Sequence, residues 1–426
     1  MPCPRGPSTL VVLVSVFPAL GQGAREDVFP LSAEPVYAAL ASEAQDKSPD
    51  IHAALAAVQA AKTRVPQVGA LPDPELMVGY EYGGVGLQPG ADDDTGLVLG
   101  FSQALPGPGK RDLRSAVAER EVREVEHALH RTRLEVAYRL RRAYADLLLA
   151  RENLALIEDQ RRATSDIEEL TRSRYSVGLA QQSDVLRAQA ELARLERMRL
   201  HELGREVSAI AEMNRILARP AATPVPGTPL LRELDVAAVR VPSVEDAIAG
   251  LDAASPALLA VHEMVGRAGV SRDLASKEGA PDFAARASYL YRGSLPPMVT
   301  ADLGIVLPLY RGRKQKQALA EAEARLQQSR SSAEAMRLKV RASVEQARAD
   351  LEAAVREAES YAAGVLAVDA LAVESALASF QAGKSPFVAV LEAHNTLYRD
   401  RWEHAELLFH VLWHSASLDA LGVVMD

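Results

Sequence analysis

The chain has 426 residues, 48% of them hydrophobic, 25% charged and only 5% aromatic, with one Cys and a formal net charge of -9. That apolar fraction excludes a disordered chain, and one Cys excludes an internal disulfide framework or a Cys-based zinc site. The acidic balance argues against nucleic acid as a partner, because phosphate binding needs a basic surface, while the abundance of Ala, Glu, Leu and Arg is the composition of long helices or coiled coils.

In chain order, Arg5 is followed by an apolar run from Thr9 to Leu20 that closes on Gly21. A basic start, a short apolar core and small residues near a plausible cut predict a secretory signal peptide over residues 1–23. The run is about a dozen residues, short of the ~20 that a spanning helix needs. Cys3 precedes the apolar core rather than closing it, so a lipid-modified Cys at the cut is not expected. No uninterrupted apolar stretch of about 18 residues occurs downstream, so entry into a membrane would not use transmembrane helices.

The remainder reads as two copies of one unit, offset by about 205 residues. Ser48-Pro49 recurs as Ser255-Pro256, and Leu71-Pro72-Asp73-Pro74 as Ala280-Pro281-Asp282-Phe283. Tyr80-Glu81-Tyr82 recurs as Tyr289-Leu290-Tyr291, Gly109-Lys110-Arg111 as Gly312-Arg313-Lys314, and Tyr175-Ser176-Val177-Gly178 as Phe380-Gln381-Ala382-Gly383. The expected division is 24–219, a Pro-rich linker 220–242, and 243–426. Each half predicts a helix, two short strands, one very long helix, a tight turn and a returning helix. The long helices are expected at about Lys110–Tyr175 and Arg313–Phe380, both free of Pro. In the first, Leu113, Val117, Val125, Leu129, Val136, Leu140, Ala143, Leu147, Leu154 and Ile157 mark one apolar stripe. Such a helix is on the order of 100 Å long and persists only beside laterally packed neighbours, as in a closed ring.

The predicted strands alternate. Leu76, Val78, Tyr80 and Tyr82 alternate with Met77, Gly79 and Glu81; Leu97, Leu99, Phe101 and Leu105 alternate with Val98, Gly100 and Ser102. In the second half Phe283, Ala285, Ala287, Tyr289 and Tyr291 alternate with Asp282, Ala284, Arg286, Ser288 and Leu290, and Val299, Leu303, Ile305 and Leu307 with Thr300, Asp302, Gly304 and Val306. Period-two alternation with aromatics near strand ends fits a membrane β-barrel, and equally four strands of a half-buried soluble sheet. The polar loops at Gly83–Thr95 and Gly293–Pro297, and the direct return into helices too long for a small sheet, favour the barrel. Four strands cannot close, and open edges are excluded from lipid, so several copies must pool their strands; three copies, with twelve strands, are the smallest number to exceed eight.

These residues carry a resemblance over nearly the whole chain after the signal segment. Phe101-Ser102-Gln103-Ala104-Leu105-Pro106-Gly107-Pro108-Gly109-Lys110-Arg111 is similar to the strand-to-helix junction of the TolC-like outer-membrane efflux channels, in the branch serving heavy-metal pumps. Tyr175-Ser176-Val177-Gly178-Leu179-Ala180 and Phe380-Gln381-Ala382-Gly383-Lys384-Ser385 resemble that family's inward-facing helix-turn-helix tips. The resemblance implies a mainly α fold with a small β part: a homotrimeric 12-stranded outer-membrane β-barrel continued by a periplasmic α-helical barrel. It implies docking to a periplasmic adaptor (membrane fusion protein) and an inner-membrane pump of RND type. Tyr80, Tyr82, Leu97, Leu99, Phe101, Tyr289, Tyr291, Leu303 and Ile305 would face outer-membrane lipid. Tyr175, Gly178, Asp184, Phe380, Gly383, Ser385 and Glu392 would form the tip, with Asp184 and Glu392 ringing the constriction. Against the best-known member, Ala389 stands where an acid is expected and Phe380 where a Tyr would donate a hydrogen bond.

Gly178 and Gly383 are expected to be left-handed helix ends, with Ser385 as N-cap and Pro386 at the first position of the return helix. Lys110, Arg111, Arg311, Arg313 and Lys314 sit at helix starts, where cations oppose the macrodipole; lipid phosphate at the inner rim of a barrel would offset the cost, and plain solvated surface accounts for them equally well. His410 and His414 are one turn apart but lack a third ligand. No nucleophile stands beside a base, so no catalytic, cofactor or metal site is expected. The reading is a passive exit duct for an export system; a periplasmic coiled-coil adaptor is the alternative, and an enzyme a weaker third.

Overall fold

The protein, described from a computed structural model, is defined for residues 28–84 and 87–420; the expected signal segment lies outside the described residues. The elements run α1 (Pro35–Lys47), α2 (Pro49–Gly69), β1 (Glu75–Glu81), β2 (Gly96–Leu105), α3 (Lys110–Ser176), α4 (Gln182–Ile216), the short α5 (Val244–Ile248) and α6 (Leu251–Ala254), α7 (Pro256–Lys277), β3 (Asp282–Tyr291), β4 (Met298–Val306), α8 (Gln315–Tyr361), a π-helical turn (Ala362–Leu366), α9 (Ala367–Gln381) and α10 (Phe387–Asp419). Helix α3 has 67 residues, on the order of 100 Å at 1.5 Å per residue. It starts after Gly109, at φ 81°, a left-handed turn that a side chain would strain.

The single apolar stripe expected along α3 is met only in part: Val136, Leu140, Ala143, Leu147 and Ile157 are buried, whereas Leu113, Val117, Val125, Leu129 and Leu154 are half-buried. From Ala143 to Ala150 every residue except Asp146 is buried, so the helix is covered on all sides there. The cover comes from α1, α10 and the linker. Tyr37 sits between Phe29 and Tyr144, with ring centroids 5.1 and 5.4 Å away. The Tyr144 hydroxyl donates to the Glu34 carboxylate at 2.8 Å, and Glu34 caps α1 at Val36 N and Tyr37 N. Burial first, and then that carboxylate, push the Tyr144 hydroxyl far above its ordinary titration range. Asp419, at the end of α10, accepts from Val28 N and Phe29 N at 2.9 Å and from Arg141 at 2.9 Å.

The Pro-rich linker is packed on this waist. Val225, Leu231 and Val239 are buried in the main core. Arg151 donates to the Pro226 carbonyl at 3.0 Å and the Thr228 hydroxyl at 2.9 Å, and Arg232 to Glu152 at 2.6 Å. Asn214 donates to the Ala221 and Thr223 carbonyls, turning the chain as α4 ends.

The four strands form one antiparallel sheet in the order β1-β2-β3-β4, so the hairpins of the two halves pair through β2 and β3. Among the described residues β1 and β4 are unpaired edges. The second long helix is expected from Arg313 without interruption. It begins instead at Gln315 and passes through the π-helical turn before α9. Within Gln315–Gln381 one 18-residue window, broken only by two charges, is apolar enough to cross a membrane by length and composition, and 6% of it is buried. The apolar residues Val365, Val368 and Leu371 lie exposed there.

Candidate functional site: the sheet face and the helical tips

The register sorts the strand residues onto two faces. Tyr80 pairs with Leu97 and Leu97 with Tyr291; Val78 pairs with Leu99, Leu99 with Tyr289 and Tyr289 with Val299. Leu76 pairs with Phe101, Ala285 with Leu303, and Phe283 with Ile305. Because directly opposed residues share a face, Tyr80, Leu97, Leu99, Phe101, Tyr289, Tyr291, Leu303 and Ile305 all stand on one side. All are exposed, Leu303 to 70%. Tyr82 lies just beyond β1 in the same alternation and is also exposed. The other side carries the row Glu75, Ser102, Arg286, Asp302, and next to it Ser288 and Thr300, whose hydroxyls are 2.5 Å apart. A sheet with its apolar face to the surroundings is inverted relative to a soluble sheet.

Where the sheet meets the helices, Lys110 is 1% exposed and joins the two halves. Its ammonium contacts Asp282 at 2.8 Å, Glu278 at 3.3 Å and the Ala280 carbonyl at 3.0 Å. Gly107 N also donates to Asp282, at 2.6 Å. Arg111 donates twice to the Gly69 carbonyl and Arg311 to the Gly279 carbonyl, so each half closes its helix end in the same way.

At the far end both tips make the same turn. Leu179 N donates to Arg174 O at 2.8 Å and Gly178 N to Tyr175 O at 3.0 Å; Lys384 N donates to Ser379 O and Gly383 N to Phe380 O, each at 2.9 Å. This is the Schellman pattern, which needs a left-handed residue. Gly178 and Gly383 supply it, at φ 76° and 70°.

Other tip residues are placed differently from expectation. Ser385 does not cap the return helix: α10 starts one residue later with Pro386 as its N-cap, and the Ser385 hydroxyl has no hydrogen-bond partner among the described residues. Asp184 has a local task, since its carboxylate accepts from Gln181 N at 3.4 Å in a capping box that starts α4. Glu392 is exposed, without an ion-pair partner among the described residues. Tyr175 is 46% exposed. Phe380 is buried, packed with Ile167, Ala188, Phe387 and Val390 in a small second core.

Sequence reasoning missed Arg174. Its guanidinium lies over the Phe380 ring, 4.6 Å from the centroid, and donates to the Phe380 carbonyl at 2.9 Å. It therefore ties the end of α3 to the end of α9, one hairpin to the other. Its partner is 206 residues away, and no local pattern marks it. Among the described residues no group of three or more His, Cys, Asp or Glu is placed to hold a metal ion.

An outward-apolar sheet with open edges, set on helices of this length and ending in hairpin tips, is the architecture of a membrane-inserted protein with a long helical extension. Residues 40–207 and 248–421 match the family described as outer membrane efflux protein, and the chain belongs to that family. Among solved structures it is similar to CusC, with TM-score 0.80, 17% identity and 95% of each chain covered. It is also similar to the outer membrane protein VceC of Vibrio cholerae, with TM-score 0.75, 20% identity, and 91% of this chain and 96% of that one covered. The open-state MtrE outer membrane channel of Neisseria gonorrhoeae gives TM-score 0.73 at 15% identity, covering 91% and 89%. At these identities the likeness is one of fold. No curated protein sequence matches the chain. The protein is therefore an outer membrane efflux protein.

Proposed function

We propose that three copies of this chain close a 12-stranded barrel and a continuous helical tunnel, forming the passive exit duct of a tripartite export system. The observation that carries this is the four-stranded sheet with an exposed apolar face and two unpaired edges, which one copy cannot seal in lipid. The exposed apolar window on the second rod supports lateral contact between copies. The halves 24–219 and 243–426 act as repeats that each give one hairpin to the tunnel mouth. Tyr175, Gly178, Asp184, Phe380, Gly383, Ser385 and Glu392 form the tips that meet a periplasmic adaptor and an inner-membrane pump of RND type. The role is transport rather than catalysis. Specificity resides in the pump, because a wide water-filled tunnel discriminates only by size and charge. The adaptor alternative is not favoured by two hairpins joined to membrane-type strands.

The test is native mass spectrometry of the detergent-purified protein together with an efflux assay in cells lacking it. A trimer that restores export supports the proposal. A water-soluble monomer, or a trimer without effect on export, overturns it.

A further inference from the structure

We infer that the turn between β4 and α8 is a docking surface for anionic phospholipid headgroups in the inner leaflet of the outer membrane. The inference rests on the outer-membrane reading above and adds a lipid partner to it. On β4 the outward apolar register runs through Val299, Leu303 and Ile305. Beyond the strand the turn carries three further apolar or aromatic residues, Leu307, Leu309 and Tyr310, exposed to 60%, 81% and 76%. Three cations follow at once: Arg313, Lys314 and Lys316, all exposed and none in an ion pair or side-chain hydrogen bond among the described residues. The first turn of α8 contains no acid to answer them.

The equivalent turn of the first half shows that this arrangement is not forced by the fold. There Lys110 is buried on Asp282 and Glu278, Arg111 is committed to the Gly69 carbonyl, and Arg114 pairs with Glu278 at 3.3 Å. Arg311 repeats the role of Arg111 by holding the Gly279 carbonyl. Among the described residues the three cations beyond it have no such work.

The sequence of chemistry along the turn, aliphatic then Tyr then cations, is that of a segment crossing from hydrocarbon to the headgroup layer. Tyr sits at the interface, and Lys and Arg extend their ammonium and guanidinium groups to phosphate. The occupant is an anionic headgroup because three neighbouring cations lack counter-charge among the described residues and the apolar residues before them follow directly on the lipid-facing strand. Each cation near an anionic surface changes affinity by about fivefold.

The experiment reconstitutes the full-length trimer in nanodiscs of phosphatidylethanolamine mixed with phosphatidylglycerol and measures the retained lipid by native mass spectrometry. The wild type is expected to retain phosphatidylglycerol above its bulk fraction. The triple variant R313Q/K314Q/K316Q should stay trimeric and lose that enrichment by on the order of 100-fold in affinity, whereas K384Q, at the tip, should not change it. Equal enrichment in wild type and triple variant overturns the inference. So does dissociation of the triple variant with no enrichment in the wild type, which would assign the cations to a contact between copies. Either result leaves trimer formation and export by the wild type, and so the duct reading, intact.

Discussion

Arg219 grips Glu43 with Nε and Nη2, the Nε contact at 2.9 Å, and so fixes the end of α4 to α1. The Arg219 hydrogen bond, with help from Lys47, holds the Glu43 carboxyl below its usual range against a smaller opposing push from burial. A depressed carboxyl stabilises the fold above its unfolded value, about pH 4.3, and the contribution disappears as the pH falls through the folded value. With both side chains partly exposed, it is about 1 kcal/mol. Acid unfolding followed by circular dichroism should therefore show R219Q less stable than the wild type at neutral pH, with the gap closing below about pH 4. At the tip, R174A removes a charged donor from the Phe380 carbonyl, a loss of about 1.5–3 kcal/mol. Planar-bilayer recordings should find the variant open on the order of ten times more often, because the tie between the two hairpins is lost; unchanged opening would show that this contact does not restrain the tips. Gly178 and Gly383 were legible as turn residues because only left-handed backbone closes that turn. Arg174 was not, and the cap assigned to Ser385 was misplaced by one residue because Pro386 takes the extended cap conformation itself.

Most elements were legible from period. The four strands declared themselves by period-two alternation, broken at Met77, Val98, Leu290 and Val306, and α3 by an unbroken run without Pro that ends at Gly178. What period could not show is the covered middle of α3, whose cover comes from Phe29, Tyr37 and a linker that looks like spacer but contributes Val225, Leu231 and Val239 to the core. Nor does composition mark the end of α4. There Ala218 adopts φ 53° where Gly would be expected, and Arg219 N closes back on Asn214 O at 2.8 Å. The tips give the sharpest prediction at this scale. Pro locks φ near −65°, incompatible with the observed 76° and 70°. Gly178→Pro or Gly383→Pro should abolish export in a cell-based efflux assay while the trimer still forms, because only the hairpin end is distorted. Normal export by both variants would count against the tips as the docking ends.

For the molecule as a whole, the sheet face and the second rod expose apolar surface that a lone copy could not keep in water. Leu371→Glu places a charge in the apolar window between Asp369 and Glu374 and should shift the population from trimer to monomer in size-exclusion chromatography in detergent, without loss of helix content. The direction in which Val368 and Leu371 point is set upstream, by the turn at Ala362–Leu366. Its wider winding accommodates one surplus residue, and each residue advances an ordinary helix by about 100°. That step re-aims everything below it, so the upper and lower parts of the same rod present differently directed faces. Deleting Gly364 should let the rod wind evenly while turning its lower third away from the adjoining copy of the proposed trimer. Unaltered circular dichroism with failed assembly is the expected signature, and it would mark azimuth, rather than length or greasiness, as what that one spare residue preserves.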